Sequence, residues 1–174
     1  MAAGCQRLVL GVALSVTVSS GLPAQQASPA REGFERLKLL AGTWSFTMGG
    51  ERGLVSYEVA SDGSLILERV INGEHAGAGM VSAIFLDGDR LVMHHYCGAG
   101  NQPVLVSTGL EGDELRFTFA GGTNLADGSV GHIHGARFMF QEEGSFESEW
   151  TWMEAGKASA AVRRHRVAGS PGRR

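Results

Sequence analysis

The chain has 174 residues, 26 of them glycine, with 43% hydrophobic residues, 19% charged residues and a formal charge of −3. That length suits one domain of about 100–200 residues, the apolar content excludes disorder along the whole chain, and the acidic balance excludes a non-specific nucleic-acid binder. Two cysteines exclude a disulfide scaffold, and no apolar run reaches the roughly 18 residues of a membrane-spanning helix.

Residues 1–24 read as a cleaved signal peptide. Arg7 is the one charge before Arg31, Leu8 to Val18 is an apolar run, and Leu22-Pro23-Ala24 ends it with a small residue. This is the order of a secretory signal, and the run is too short for a stop-transfer helix. Export to the periplasm or the medium is the expected destination. Cleavage would remove Cys5 and leave Cys97 as the sole thiol, hence no intrachain disulfide. Residues 25–30 form a polar linker, 31–168 the folded domain and 169–174 a disordered tail.

A short helix is predicted from Ala30 to Leu40. Phe34, Leu37 and Leu40–Ala41 make an apolar stripe at helical spacing, and Gly42 stands where a helix ends. Beyond it the apolar period drops to two. About ten strands are predicted, at 43–48, 53–60, 64–71, 78–86, 90–97, 103–110, 114–119, 132–141, 145–154 and 157–167. Turns such as Asp62-Gly63, Asn72-Gly73, Asp87-Gly88-Asp89 and Ala155-Gly156 separate them. Short connections favour antiparallel neighbours and a meander. Ala120 to Gly131 is the one long connection, a candidate lid or a plain surface loop. Such a sheet removes its exposed edges by closing on itself. The expected fold is therefore all-β, an antiparallel up-and-down β-barrel of about ten strands with a short N-terminal helix.

Gly42-Thr43-Trp44 follows the helix and opens the first strand. It resembles the G-x-W signature of lipocalins and the wider calycin superfamily. The resemblance implies a helix that plugs one barrel end, a tryptophan packed beneath the first strand and a last-strand arginine across it. Arg163, Arg164 and Arg166 are the candidates for that arginine. The phrases Leu86-Asp87-Gly88-Asp89-Arg90-Leu91, His95-Tyr96-Cys97, Gly100-Asn101-Gln102-Pro103, Gly131-His132-Ile133-His134 and Ser148-Glu149-Trp150-Thr151-Trp152 resemble an uncharacterised family of secreted bacterial lipocalin-like proteins. The likeness spans about residues 34–165. It implies the barrel and no activity.

Alternation sorts the polar candidates. In 90–97, Leu91, Met93, His95 and Cys97 share a face; in 132–141, His132, His134, Ala136, Phe138 and Phe140 do. If the phenylalanines point inward, His95, Cys97, His132 and His134 would meet inside the barrel. Imidazole and thiolate suit zinc, copper or haem iron, so these four are the metal candidates. The same residues also suit the polar lining of a metal-free cavity, and the sequence requires no cofactor. Alternation leaves open which face of 145–154 points inward: Glu149 is either in water or beside the histidines, and Glu68 has the same ambiguity. Asn101, Gln102 and Asn124 are amides at strand mouths, placed to orient a ligand or to satisfy a turn.

These residues add up to an exported lipocalin-like barrel that binds a small, largely apolar ligand. His95, Cys97, Asn101, Asn124, His132, His134 and Glu149 would form the polar end of its cavity. The alternatives are a barrel enzyme or metal- or haem-binding protein using the same histidines, and an envelope interaction module with a filled core. No G-x-S-x-G, phosphate loop, dinucleotide fingerprint or H-E-x-x-H is present.

Overall fold

The computed structural model describes residues 28–72, 79–126, 129–141 and 144–167. The expected signal peptide, the C-terminal tail and part of the Asn72-Gly73 turn lie outside the described residues. Helix α1 (Pro29–Lys38) begins where its sequence directs it. The Ser28 hydroxyl accepts from the Arg31 N–H at 3.3 Å, and Pro29 occupies the first turn, where no N–H is needed. Phe34 and Leu37 are buried on one face.

Eleven strands follow: β1 (Gly42–Met48), β2 (Glu51–Ala60), β3 (Leu65–Asn72), β4 (Val81–Asp87), β5 (Arg90–Tyr96), β6 (Gln102–Ser107), β7 (Leu110–Glu111), β8 (Glu114–Thr123), β9 (His132–Phe140), β10 (Ser145–Glu154) and β11 (Lys157–Val167). β1 to β6 pair in chain order, β8 to β11 do likewise, and β11 returns to β1. β6 pairs with β8, which closes ten strands into an antiparallel, lipocalin-like barrel. The predicted strand 103–110 is split. Gly109, at φ 125°, carries the backbone against α1, where a Cβ would lie 2.0 Å from the Pro29 carbonyl carbon. The two-residue β7 is the remainder. β8 runs to Thr123, so the predicted loop begins four residues late.

Alternate residues fill the interior. Phe46, Ile66, Ile84, Met93, Leu105, Phe117, Phe138 and Phe146 are all fully or almost fully buried. Each large apolar side chain contributes about 1.5–3 kcal/mol on leaving water. In β10 the even positions Phe146, Ser148 and Trp150 are buried. Glu147 and Glu149 therefore face outward, where they pair with Arg164 at 3.0 Å and Arg137 at 3.1 Å.

One barrel end is sealed. α1 packs against β4, β5 and β7, and Gly33 admits the helix against Leu91, Leu115 and Leu110. The Trp44 indole N–H donates to the Leu40 carbonyl at 2.7 Å, and its ring meets Phe146 edge-on at 4.9 Å. The expected arginine lies elsewhere. Arg163 spans Phe46 and Trp150, at 5.2 and 5.4 Å from their ring centres. Arg164 and Arg166 are exposed, because alternation on β11 turns 163 and 165 inward.

Candidate functional site

The strands that start at the sealed end finish at the other. β1 runs from Trp44 to Met48, and β5 from Leu91 toward Cys97. At that far end lies a cavity of about 310 Å³, walled by Met48, Met80, Cys97, Gly98, Ala99, Ile133, Trp150, Trp152, Ala161 and Arg163. Its wall is apolar except for the guanidinium of Arg163 and the half-buried thiol of Cys97.

Beside the cavity the interior is polar. Glu68, 2% exposed, accepts from the Tyr57 hydroxyl at 3.1 Å and from the Ser82 hydroxyl at 2.8 Å. Ser82 Oγ lies 3.0 Å from His95 Nδ1. With Glu68 ionised, the serine hydrogen goes to the carboxylate and His95 Nδ1 carries the hydrogen of that contact. His95 Nε2 is then a bare acceptor, and it is buried without a hydrogen-bond partner. The His95 ring rests on Trp150 at 5.3 Å. A second set lies deeper. Ser148 Oγ accepts from Trp150 Nε1 at 3.2 Å and contacts His165 Nε2 at 2.8 Å, while His165 stacks flat on Phe146 at 4.0 Å.

Burial governs the charge states. Loss of water raises the Glu68 carboxyl above its usual range, and the Arg163 charge opposes that rise. Burial, then the Arg163 charge, push His95 down to about 4 and His165 to about 3. Both imidazoles are thus neutral at pH 7. Burial and the neighbouring Glu68 raise the Tyr57 phenol.

The expected meeting of His95, Cys97, His132 and His134 is divided. The alternation that implied it fails at a bulge. Ile133 stands opposite Trp152 and Gly135 opposite Thr151, so His134 is skipped in the ladder. Ile133, not a histidine, lines the cavity. His132 and His134 pair with each other at 3.1 Å and pack on Phe119, at 4.7 and 4.8 Å. His132 Nδ1 donates to the Val130 carbonyl at 2.7 Å, so the shared hydrogen belongs to His134 Nδ1. His95 has a separate set of partners. Among the described residues no group of three or more His, Cys, Asp or Glu side chains is placed to hold one metal ion.

The remaining candidates are structural in their contacts. Asn101 is buried and donates to the Gly131 carbonyl at 2.8 Å, joining the loop after β5 to the start of β9. Asn124 is exposed with φ 56° and donates to the Gly100 carbonyl and to Gln102 Oε1, which is turn chemistry. Glu149 is held on the outer face by Arg137, so the buried acid is Glu68. Of the seven predicted residues, Cys97 alone lines the cavity. Met48, Met80 and Trp152 were not anticipated there. Their sequence signal was strand-end position alone. Arg163 and His165 did carry a signal, since they share the β11 face that meets the inward Phe46 through the His165–Phe46 pairing.

No protein-family model matches the chain and no curated protein is significantly similar to it, so the lipocalin-like assignment rests on the barrel itself.

Proposed function

We propose that the chain is an exported lipocalin-like binding protein that holds one small, largely apolar molecule in the open end of its barrel. The observation that carries this reading is the asymmetry of the two ends. One is stopped by α1 and Trp44, and the other keeps an apolar-walled cavity of about 310 Å³. That volume is at the lower end of the roughly 300–1,000 Å³ range of ligand pockets. Trp150, Trp152 and two methionines supply an adaptable apolar wall. Export rests on the Arg7-to-Ala24 pattern.

Native mass spectrometry of the freshly purified secreted protein tests the reading. A bound small-molecule mass that organic extraction removes is the expected result. Bare protein that neither retains a ligand nor shows tryptophan quenching with a neutral arylamine would overturn it.

A further inference from the structure

Alternation turns every second strand residue outward, and on a wall that faces water those residues are polar. The outer face of β8 to β11 follows this rule. There Glu114 pairs with Arg116 and Arg137, Glu149 with Arg137, and Glu147 with Arg164. The outer face of β3 to β6 does not. Ladder pairing sets Leu65, Phe85, Val92 and Val106 in one row across the four strands. Leu67, Ala83, His94 and Val104 make the next row, and Arg69, Val81 and Tyr96 begin a third. Arg69 is the one Asp, Glu, Lys or Arg among these residues.

The result is an apolar cluster on the outside of the barrel. Val92 is only 6% exposed although it faces outward, and it stands apart from the interior core. Phe85 and Val106 flank it in the ladder, and Phe85 leans on His94 with ring centres 5.6 Å apart. Phe85, Val104 and Val106 stay partly open to water. At the margin Tyr96 is 51% exposed and Ile71, on β3, is 50% exposed. A contiguous apolar face of this kind marks an interaction surface.

We propose that this face binds a second copy of the chain as a two-fold, sheet-on-sheet dimer. The inference is independent of the ligand cavity, which lies at the barrel end and shares none of these residues.

Side-chain size selects the second copy as the occupant. In a two-fold dimer the same patch meets itself. An axis parallel to the strands and passing between β4 and β5 sets each β4 residue against its β5 ladder partner in the other copy. Phe85 then meets the second copy's Val92, His94 meets its Ala83, and Tyr96 meets its Val81. Each meeting joins a ring to a small side chain, so the face is its own complement. Leu65 and Leu67 on β3 and Val104 and Val106 on β6 flank this centre. The area agrees with a reversible dimer. Four strands about 4.8 Å apart and three rows about 6.8 Å apart give an apolar footprint of roughly 400 Å². That is about half of the roughly 800 Å² a standard interface takes from each partner. The face therefore suits a dimer of about micromolar affinity rather than an obligate one.

Sedimentation velocity over a concentration series of the purified protein tests the proposal. The unaltered chain should pass from monomer to dimer with a dissociation constant of about 1–100 μM. Ala83→Lys and His94→Glu each put a charge at the centre of the face, and each alone should weaken the dimer at least about tenfold. An equal mixture of the two should regain a dimer, because the lysine of one copy then faces the glutamate of the other. Val162→Lys, on the outer face of β11 opposite Glu149, should leave the dimer unchanged. Urea midpoints of all three variants establish that they are folded.

A chain that stays monomeric at every concentration would overturn the proposal. Should that monomer float with phosphatidylcholine–phosphatidylglycerol vesicles, the face would belong to a lipid surface instead. A dimer that survives in both folded single variants would overturn the assignment of this face. Two monomeric variants whose mixture stays monomeric would overturn the two-fold arrangement.

Discussion

Acidification from pH 7.5 to pH 5 should weaken the fold, because two buried imidazoles refuse protons that the unfolded chain accepts. Unfolded histidines titrate near 6.5, whereas His95 and His165 titrate at about 4 and about 3 in the folded barrel. Below pH 6.5 the unfolded state therefore binds more protons, and stability falls as pH falls. At pH 5 each unfolded imidazole has gained about 1.5 pH units of proton binding, or about 2 kcal/mol. The native pair has gained almost none, so the two sites together remove about 4 kcal/mol. Glu68 acts in the opposite direction. Its raised pKa makes the folded state the better proton binder as pH falls, so it offsets part of this loss. The assay is urea unfolding at pH 7.5 and pH 5, followed by tryptophan fluorescence. His165→Phe keeps a ring on Phe146 and removes one titration, so it should reduce the pH difference by about 2 kcal/mol. An unchanged pH difference in His165→Phe would refute the assignment of a neutral buried histidine there, since the Glu68 offset is common to both proteins.

Three other outcomes follow from the packing. Trp44→Ala should cost about 3–5 kcal/mol in urea unfolding, since it empties a buried site and leaves the Leu40 carbonyl without its donor; a change below about 1 kcal/mol would contradict the plug. Gly109→Ala should destabilise by more than about 1 kcal/mol, because its φ is 125° and the new Cβ would strike Pro29; an unchanged midpoint would contradict that approach of α1. N-terminal sequencing of the secreted protein should find cleavage near Ala24, and a cytoplasmic product still beginning at Met1 would contradict export.

The barrel was legible because its signals are local. Period-two alternation marks each strand, and Asp-Gly or Ala-Gly pairs with positive φ mark turns such as Asp62-Gly63 and Ala155-Gly156. The stripe of Phe34 and Leu37 marked the short helix for the same reason, whereas its place as a plug beside Trp44 came from the resemblance. The site was less legible because it depends on pairing between distant strands. A bulge opposite Trp152 exchanged Ile133 for the histidines at the cavity wall. Glu149 and Glu68 carry the same alternation signal, and only the burial of Ser148 and Trp150 on one face and of Ile66 and Val70 on the other places the first acid outside and the second inside. Arg163 was read toward Trp44 from resemblance, yet its register sets it beside Phe46 and Trp150.

The most direct test of the ligand cavity is to fill it. Ala161 lines the cavity on β11, opposite Trp150 in the ladder. Ala161→Trp would place an indole in the space the ligand needs. Neutral phenylnaphthylamine should bind the unaltered protein at one site per chain, with quenching of tryptophan fluorescence. It should bind Ala161→Trp at least about tenfold more weakly, a loss of about 1.4 kcal/mol, with the urea midpoint retained. Undiminished binding to a folded Ala161→Trp protein would contradict the account, because the probe would then sit somewhere other than the open end of the barrel.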